Sequence, residues 1–208
     1  TQIEEESDMF PIEPEFSVYK SNSAAPSSNH FMLIEPEETT KTFRGVFNIQ
    51  QYGKLEYCFY FSNNVDSTWA GGDVAYRNKP TSQYEILSCA VMTTKTQDAT
   101  NVVRRKPVTF GGKNGKIVEP SETFWTDPLE YNVEEGEYLV FEIKVKYTEI
   151  PCNNFINTVA GYESTNNGLT FVKLTKGAPM PNMIGAKRGD IPSLAFIGDS
   201  ITSGEGGG

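Results

Sequence analysis

Tyr138-Leu-Val-Phe-Glu-Ile-Lys-Val-Lys-Tyr147 decides the fold class, because its side chains alternate without a break. Leu139, Phe141, Ile143, Val145 and Tyr147 fall on one side, and Val140, Glu142, Lys144 and Lys146 fall on the other. A period of two is the signature of an extended chain with one face in a core and one toward water. That is a half-buried antiparallel strand.

The same period recurs upstream. Phe43, Phe47 and Ile49 alternate with Arg44 and Asn48 ahead of Tyr52-Gly53, and Leu55, Tyr57, Phe59 and Phe61 alternate with Lys54, Glu56, Cys58 and Tyr60. Two such runs joined by a Gly-containing turn predict a hairpin. Cys58 lies opposite the larger apolar set and reads as a small filler on a second packed face. Further short strands are expected at 74–76, 84–92, 107–110 and 169–174. Turns are expected at Gly111-Gly112-Lys113-Asn114-Gly115 and at Glu134-Glu135-Gly136-Glu137. The first of these is glycine-dense, but it lacks P-loop spacing and no helical pattern follows it.

No amphipathic helix of roughly ten residues or more is evident between Lys41 and Lys176. The expectation is a mainly β chain, an antiparallel two-sheet sandwich of jelly-roll type over 41–176. Residues 1–40, with Glu4-Glu5-Glu6 and four prolines, read as an extended acidic arm in which Phe31–Ile34 could form a first strand. Residues 177–191, with two prolines and three glycines, read as a linker. Beyond it, Leu194-Ala195-Phe196-Ile197 reads as a strand buried on both faces, running into Gly198-Asp199-Ser200.

Composition bounds the partners. Hydrophobic residues are 38%, aromatics 12% and charged residues 22% of the 208, a globular mixture. Asp and Glu number 27 against 18 Lys and Arg, and the resulting charge of −9 disfavours nucleic acid and anionic membrane surfaces. No apolar run approaches the ~18 residues of a membrane span. The chain starts at Thr1 with neither an initiator Met nor a signal-type apolar region, which fits a leader removed before this point. Cys58, Cys89 and Cys152 match no metal or redox spacing, and with His30 as the sole histidine no cofactor is expected.

A serine just past the carboxyl end of a buried strand sits where open α/β sheets place their chemistry. Its hydroxyl becomes a nucleophile only with a base, and its backbone N–H can serve as an oxyanion donor. Phe196-Ile-Gly-Asp-Ser-Ile-Thr-Ser-Gly204 resembles the first block of the SGNH, or GDSL, hydrolases. The segments 53–63, 108–115, 126–129 and 133–136 are similar to the β-sandwich that precedes the catalytic domain in one group of these esterases. The resemblance implies that 192–208 begin a truncated flavodoxin-like α/β/α hydrolase domain with Ser200 as nucleophile. It also implies an ester substrate, with acyl or acetyl groups on carbohydrates among the candidates, and a partner segment supplying the Asp and the base His. His30 reads instead as a solvated or cap-forming loop residue. The 208 residues alone are therefore expected to be the inactive N-terminal portion of a larger esterase.

The alternative is a non-catalytic module that binds carbohydrate or a partner through aromatic platforms. Trp69 and Trp125 are its candidate residues, with Tyr76, Tyr84 and Tyr162 beside them, although aromatics in a sandwich this rich in Phe and Tyr more often belong to the core.

Overall fold

The computed structural model describes residues 14–23, 29–65, 81–99, 101–153 and 160–189. Twelve strands and no helix are found among them: β1 (Lys20–Ser21), β2 (Asn29–Phe47), β3 (Gly53–Ser62), β4 (Tyr84–Thr94), β5 (Val103–Val108), β6 (Lys116–Val118), β7 (Thr123–Trp125), β8 (Leu129–Val133), β9 (Tyr138–Asn153), β10 (Ala160–Ser164), β11 (Val172–Lys173) and β12 (Met183–Ala186). No helix of the described residues is long and apolar enough to cross a membrane.

The strands form two antiparallel sheets. One runs β11-β10-β2-β9-β4-β5, with β6 also on β4. The other runs β1-β12-β3-β7, with β8 also on β3. The alternating run of β9 lies in the middle of the larger sheet, between β2 and β4. Its apolar face meets that of β3 across the interior: Phe59 and Phe61 pack on Phe141 at ring-centroid distances of 4.8 and 5.8 Å. Phe43, Tyr57, Ile86, Leu139, Ile143, Val145 and Tyr147 complete the centre of this core. Non-directional burial from both sheets holds the sandwich together.

The expected hairpin between the strands around Phe43 and Phe59 does not form. β2 pairs with β9 and β10, whereas β3 pairs with β7, β8 and β12, so the chain crosses from one sheet to the other at residues 48–52. Alternation shows that each strand has a core face, but both sheets offer their core faces to the same interior.

The edges of the sandwich also differ from expectation. Residues 29–40, placed in an arm, form the first half of β2, which contains the strand expected at Phe31–Ile34, and pair with the far end of β9, with a register shift between Ile34 and Thr39. His30 is thus a half-buried strand residue and not part of a loop. Within the stretch read as a linker, β12 pairs with β3 through Met183↔Tyr60 to Ala186↔Tyr57, and Ala178 and Met180 are buried. The strand expected over 169–174 is confined to Val172–Lys173, and Leu169 is 82% exposed. The strand expected at 74–76 lies outside the described residues, as does all of 190–208.

The three cysteines are buried and unlinked. Cys58 packs beneath the outer surface of the smaller sheet, its thiol 2.8 Å from the Thr126 carbonyl oxygen, and burial pushes that thiol up to about 12. A thiol so far from ionisation is a poor nucleophile, and the small-filler reading holds.

Candidate binding cleft

Three short segments build the candidate site: the turn after β5, strand β6 and strand β7. Phe110 closes the turn by exchanging backbone hydrogen bonds with Lys113, at 2.8 and 3.1 Å. Gly111 and Gly112 hold φ of 57° and 76°, in the left-handed region that glycine enters without a Cβ penalty. The glycine density noted in the sequence is thus used to reverse the chain.

Asp127 anchors that turn to the end of β7. Its carboxylate accepts hydrogen bonds from Thr109 Oγ1 at 2.6 Å, and from the backbone N–H groups of Gly111 and Gly112 at 2.8 Å each. Burial works against the ionised form, but the three donors outweigh it and hold the carboxyl below its ordinary value. Next to it, Thr126 is fixed to β3 by a two-way contact. Its N–H donates to the Phe59 carbonyl at 2.9 Å, and its Oγ1 accepts from the Phe59 N–H at 3.0 Å. The turn and β7 are therefore tied to the sheet from both sides.

Between them lies an open cleft of ≈ 730 Å³, lined by half-buried Trp125, by the largely buried Phe110 and Phe124, by Lys113 and Lys116, and by exposed Ile117. Glu85 adds a carboxylate at its margin. Phe110 and Phe124 meet edge to face at 5.9 Å. The Lys116 ammonium lies 5.1 Å from the Phe124 ring centroid and pairs with Glu122 at 2.7 Å. The volume is in the range of small-ligand sites, and the mixture of ring surface with a few polar heads is typical of them.

Trp125 is the one member of the expected pair that the described residues include. It is half-buried at the edge of the smaller sheet, with Phe16 at 4.9 Å, Tyr60 at 5.2 Å and Tyr19 at 6.0 Å between ring centroids. Gly185 lets β12 pass under this cluster: a Cβ there would stand 3.1 Å from Trp125 Cζ3 and 2.8 Å from the Cys58 carbonyl oxygen. Tyr19 is held in turn by a 2.6 Å hydrogen bond from its hydroxyl to Glu56, and burial together with that bond raises its pKa.

No protein-family model matches the chain, and no curated protein matches it.

Of the other sequence candidates, Ser200, Trp69 and Tyr76 lie outside the described residues. Tyr84 is a core residue, 5% exposed, and is not available as a platform. Tyr162 belongs to β10 in the larger sheet, where its hydroxyl donates to the Gln97 carbonyl at 2.9 Å. Among the described residues no group of three His, Cys, Asp or Glu side chains is placed to hold a metal ion. Phe110, Lys113, Lys116 and Asp127 were not singled out in the sequence. The available signal was a glycine-rich turn flanked by Phe110 on one side and Phe124-Trp125-Thr126-Asp127 on the other.

Proposed function

We propose that the chain is the N-terminal part of a serine esterase of the SGNH, or GDSL, type, acting on acyl or acetyl esters carried by carbohydrates. One observation carries the reading, the block Phe196-Ile-Gly-Asp-Ser-Ile-Thr-Ser-Gly204 after the apolar run from Leu194. In this reading Ser200 attacks the ester carbonyl, and its backbone N–H donates to the oxyanion that forms. The hydroxyl needs a base to accept its proton, and an Asp and a His from a segment outside these 208 residues supply it. The two-sheet sandwich is compatible with the reading as the domain that precedes the catalytic one.

The test is a hydrolysis assay with p-nitrophenyl acetate on the product of the longer reading frame. Turnover is expected there, with Ser200→Ala lowering it by at least about a thousandfold. The 208-residue chain is expected to show only background hydrolysis, the same with and without that substitution. Retention of activity in the longer protein after Ser200→Ala would remove Ser200 from the chemistry and the reading with it.

A further inference from the structure

We propose that the cleft between the Phe110–Gly115 turn and β7 binds a saccharide, with Trp125 as the stacking surface and Lys113 as the principal polar contact. The choice of a saccharide rests on the carbohydrate-ester reading above, but binding at this cleft requires no catalysis by the chain.

Three observations carry it. The cleft has the volume of a small-ligand site, and half-buried Trp125 supplies its ring surface, while Phe110 and Phe124, 8% and 9% exposed, add little of their own. Lys113 and Lys116 add ammonium donors to the lining, with Lys116 already paired with Glu122, and Glu85 adds an acceptor. Sugar rings need this combination, because their C–H faces are apolar and their rims carry hydroxyl groups. The site is also rigid before any ligand arrives. Asp127 fixes the turn through three hydrogen bonds, and Phe16, Tyr60 and Tyr19 buttress Trp125 from the side of the outer sheet surface. Preorganisation of this kind removes the ordering cost that weak sugar contacts could not offset.

Other ligand classes fit less well. The charge of −9 works against nucleic acid. Peptide addition to a sheet edge needs a strand long enough to act as a template, and the strands bordering the cleft, β6 and β7, have three residues each.

The experiment titrates the intact 208-residue chain with cellotetraose, xylotetraose and tetragalacturonate, using calorimetry and backbone amide NMR shifts. Saturable binding of at least one of the three is expected, with the shifts concentrated at residues 110–117 and 125. Trp125→Ala should weaken that binding by about tenfold or more, and Lys113→Ala by a smaller factor. Leu169→Ala, exposed on the loop before β11, should leave it unchanged. Ile117→Glu places a charge in the cleft from an exposed position and carries the test if Trp125→Ala does not fold. The proposal is overturned if none of the three sugars binds saturably. It is equally overturned if binding survives both Trp125→Ala and Ile117→Glu, or if an extended peptide binds at the same residues and the sugars do not. Absence of Ser200-dependent turnover in the longer protein would count against the esterase reading alone, because none of these measurements involves hydrolysis.

Discussion

The outer surfaces of the two sheets are covered differently: the larger carries nearly buried ion pairs beside a small apolar cluster of Val46, Met92 and Val140, and the smaller carries aromatic rings beside exposed ion pairs. On the larger sheet outward residues of β2, β5 and β9 form a cluster of opposite charges. Arg44 pairs with Glu142 at 2.8 Å and Arg105 reaches the same carboxylate at 2.9 Å, whereas Lys41, which bridges Glu35 and Glu163 at 2.7 and 3.4 Å, stands opposite Val145 on the inner-face side of the sheet. Arg44 also lies 4.0 Å over the Phe171 ring and donates to the Ala99 carbonyl. On the smaller sheet the corresponding surface carries Phe16, Tyr19, Tyr60 and Trp125, with Phe16 56% exposed. The charged cluster satisfies its own groups and leaves little for a ligand to gain. The aromatic cluster leaves ring surface facing water at the margin of the cleft, on the side where binding is proposed.

If the comparison is right, the charged face should be the more costly to break by a single substitution. Glu142 and Arg44 are each 12% exposed and the carboxylate serves two guanidinium groups, so Glu142→Ala leaves a nearly buried cation without its counter-charge. A loss of about 3 kcal/mol is expected, read from urea unfolding at neutral pH. Sugar binding should be unaffected in the folded fraction. A neutral result would mean that the charged cluster is solvated decoration and that the contrast between the faces is only one of composition.

Asp127 tests the boundary between the two regimes, since there a single carboxylate supports a turn and not a charged cluster. Asp127→Ala removes three hydrogen bonds at once and should cost about 2 kcal/mol. Its folded-state pKa lies below the ordinary 3.8, so its contribution is fully present above pH 3.8 and is lost as the pH falls through the folded value. The difference in stability between the native chain and Asp127→Ala should therefore be constant from pH 7 to about 5 and shrink below pH 3.8. A difference that grows on acidification would contradict the hydrogen-bond geometry.

Phe16→Ala addresses the aromatic face itself. Phe16 meets Tyr60 edge to face at 4.9 Å and Trp125 at the same distance, yet more than half of its surface is in water. A loss of about 1 kcal/mol is expected. Sugar affinity should fall by a small factor, because Trp125 loses a support without losing its own surface.

These same regions show what was legible in the sequence. β9 was readable because one face is apolar at every position from Leu139 to Tyr147 and the other is mostly charged. The pairing of β2 was not, since the period of two is a property of one strand and the choice of neighbour depends on the whole interior. β10 carries Gly161, Tyr162, Glu163 and Ser164, with no apolar alternation, and is a strand because β2 offers it a register from Val46 to Thr42. β12 looked like a linker because Pro179 and Pro181 precede it and Gly185 interrupts it. Gly185 is there because Trp125, Tyr19 and the Cys58 carbonyl leave no room for a Cβ. Trp125 was identified by residue type alone, while Asp127, which fixes the neighbouring turn, carries no sequence signal beyond its place before Pro128.

The smallest effect sharpens the contrast between the faces most directly, because it sets an exposed ion pair against a nearly buried one. Lys54 and Glu130 form an ion pair at 2.7 Å on the smaller sheet, the same contact type as Arg44–Glu142, but their side chains are 66% and 62% exposed. The Lys54 ammonium, through its hydrogen bond and its charge, holds the Glu130 carboxyl below its ordinary value, yet water and salt screen a pair so open. Lys54→Ala should leave the urea midpoint within error of the native chain in 0.5 M salt, and the double substitution with Glu130→Ala should show no coupling. The same cycle on Arg44 and Glu142 should show clear coupling that persists in salt. Equal coupling in both cycles would mean that burial does not set the strength of these pairs, and the distinction drawn between the two outer faces would fall.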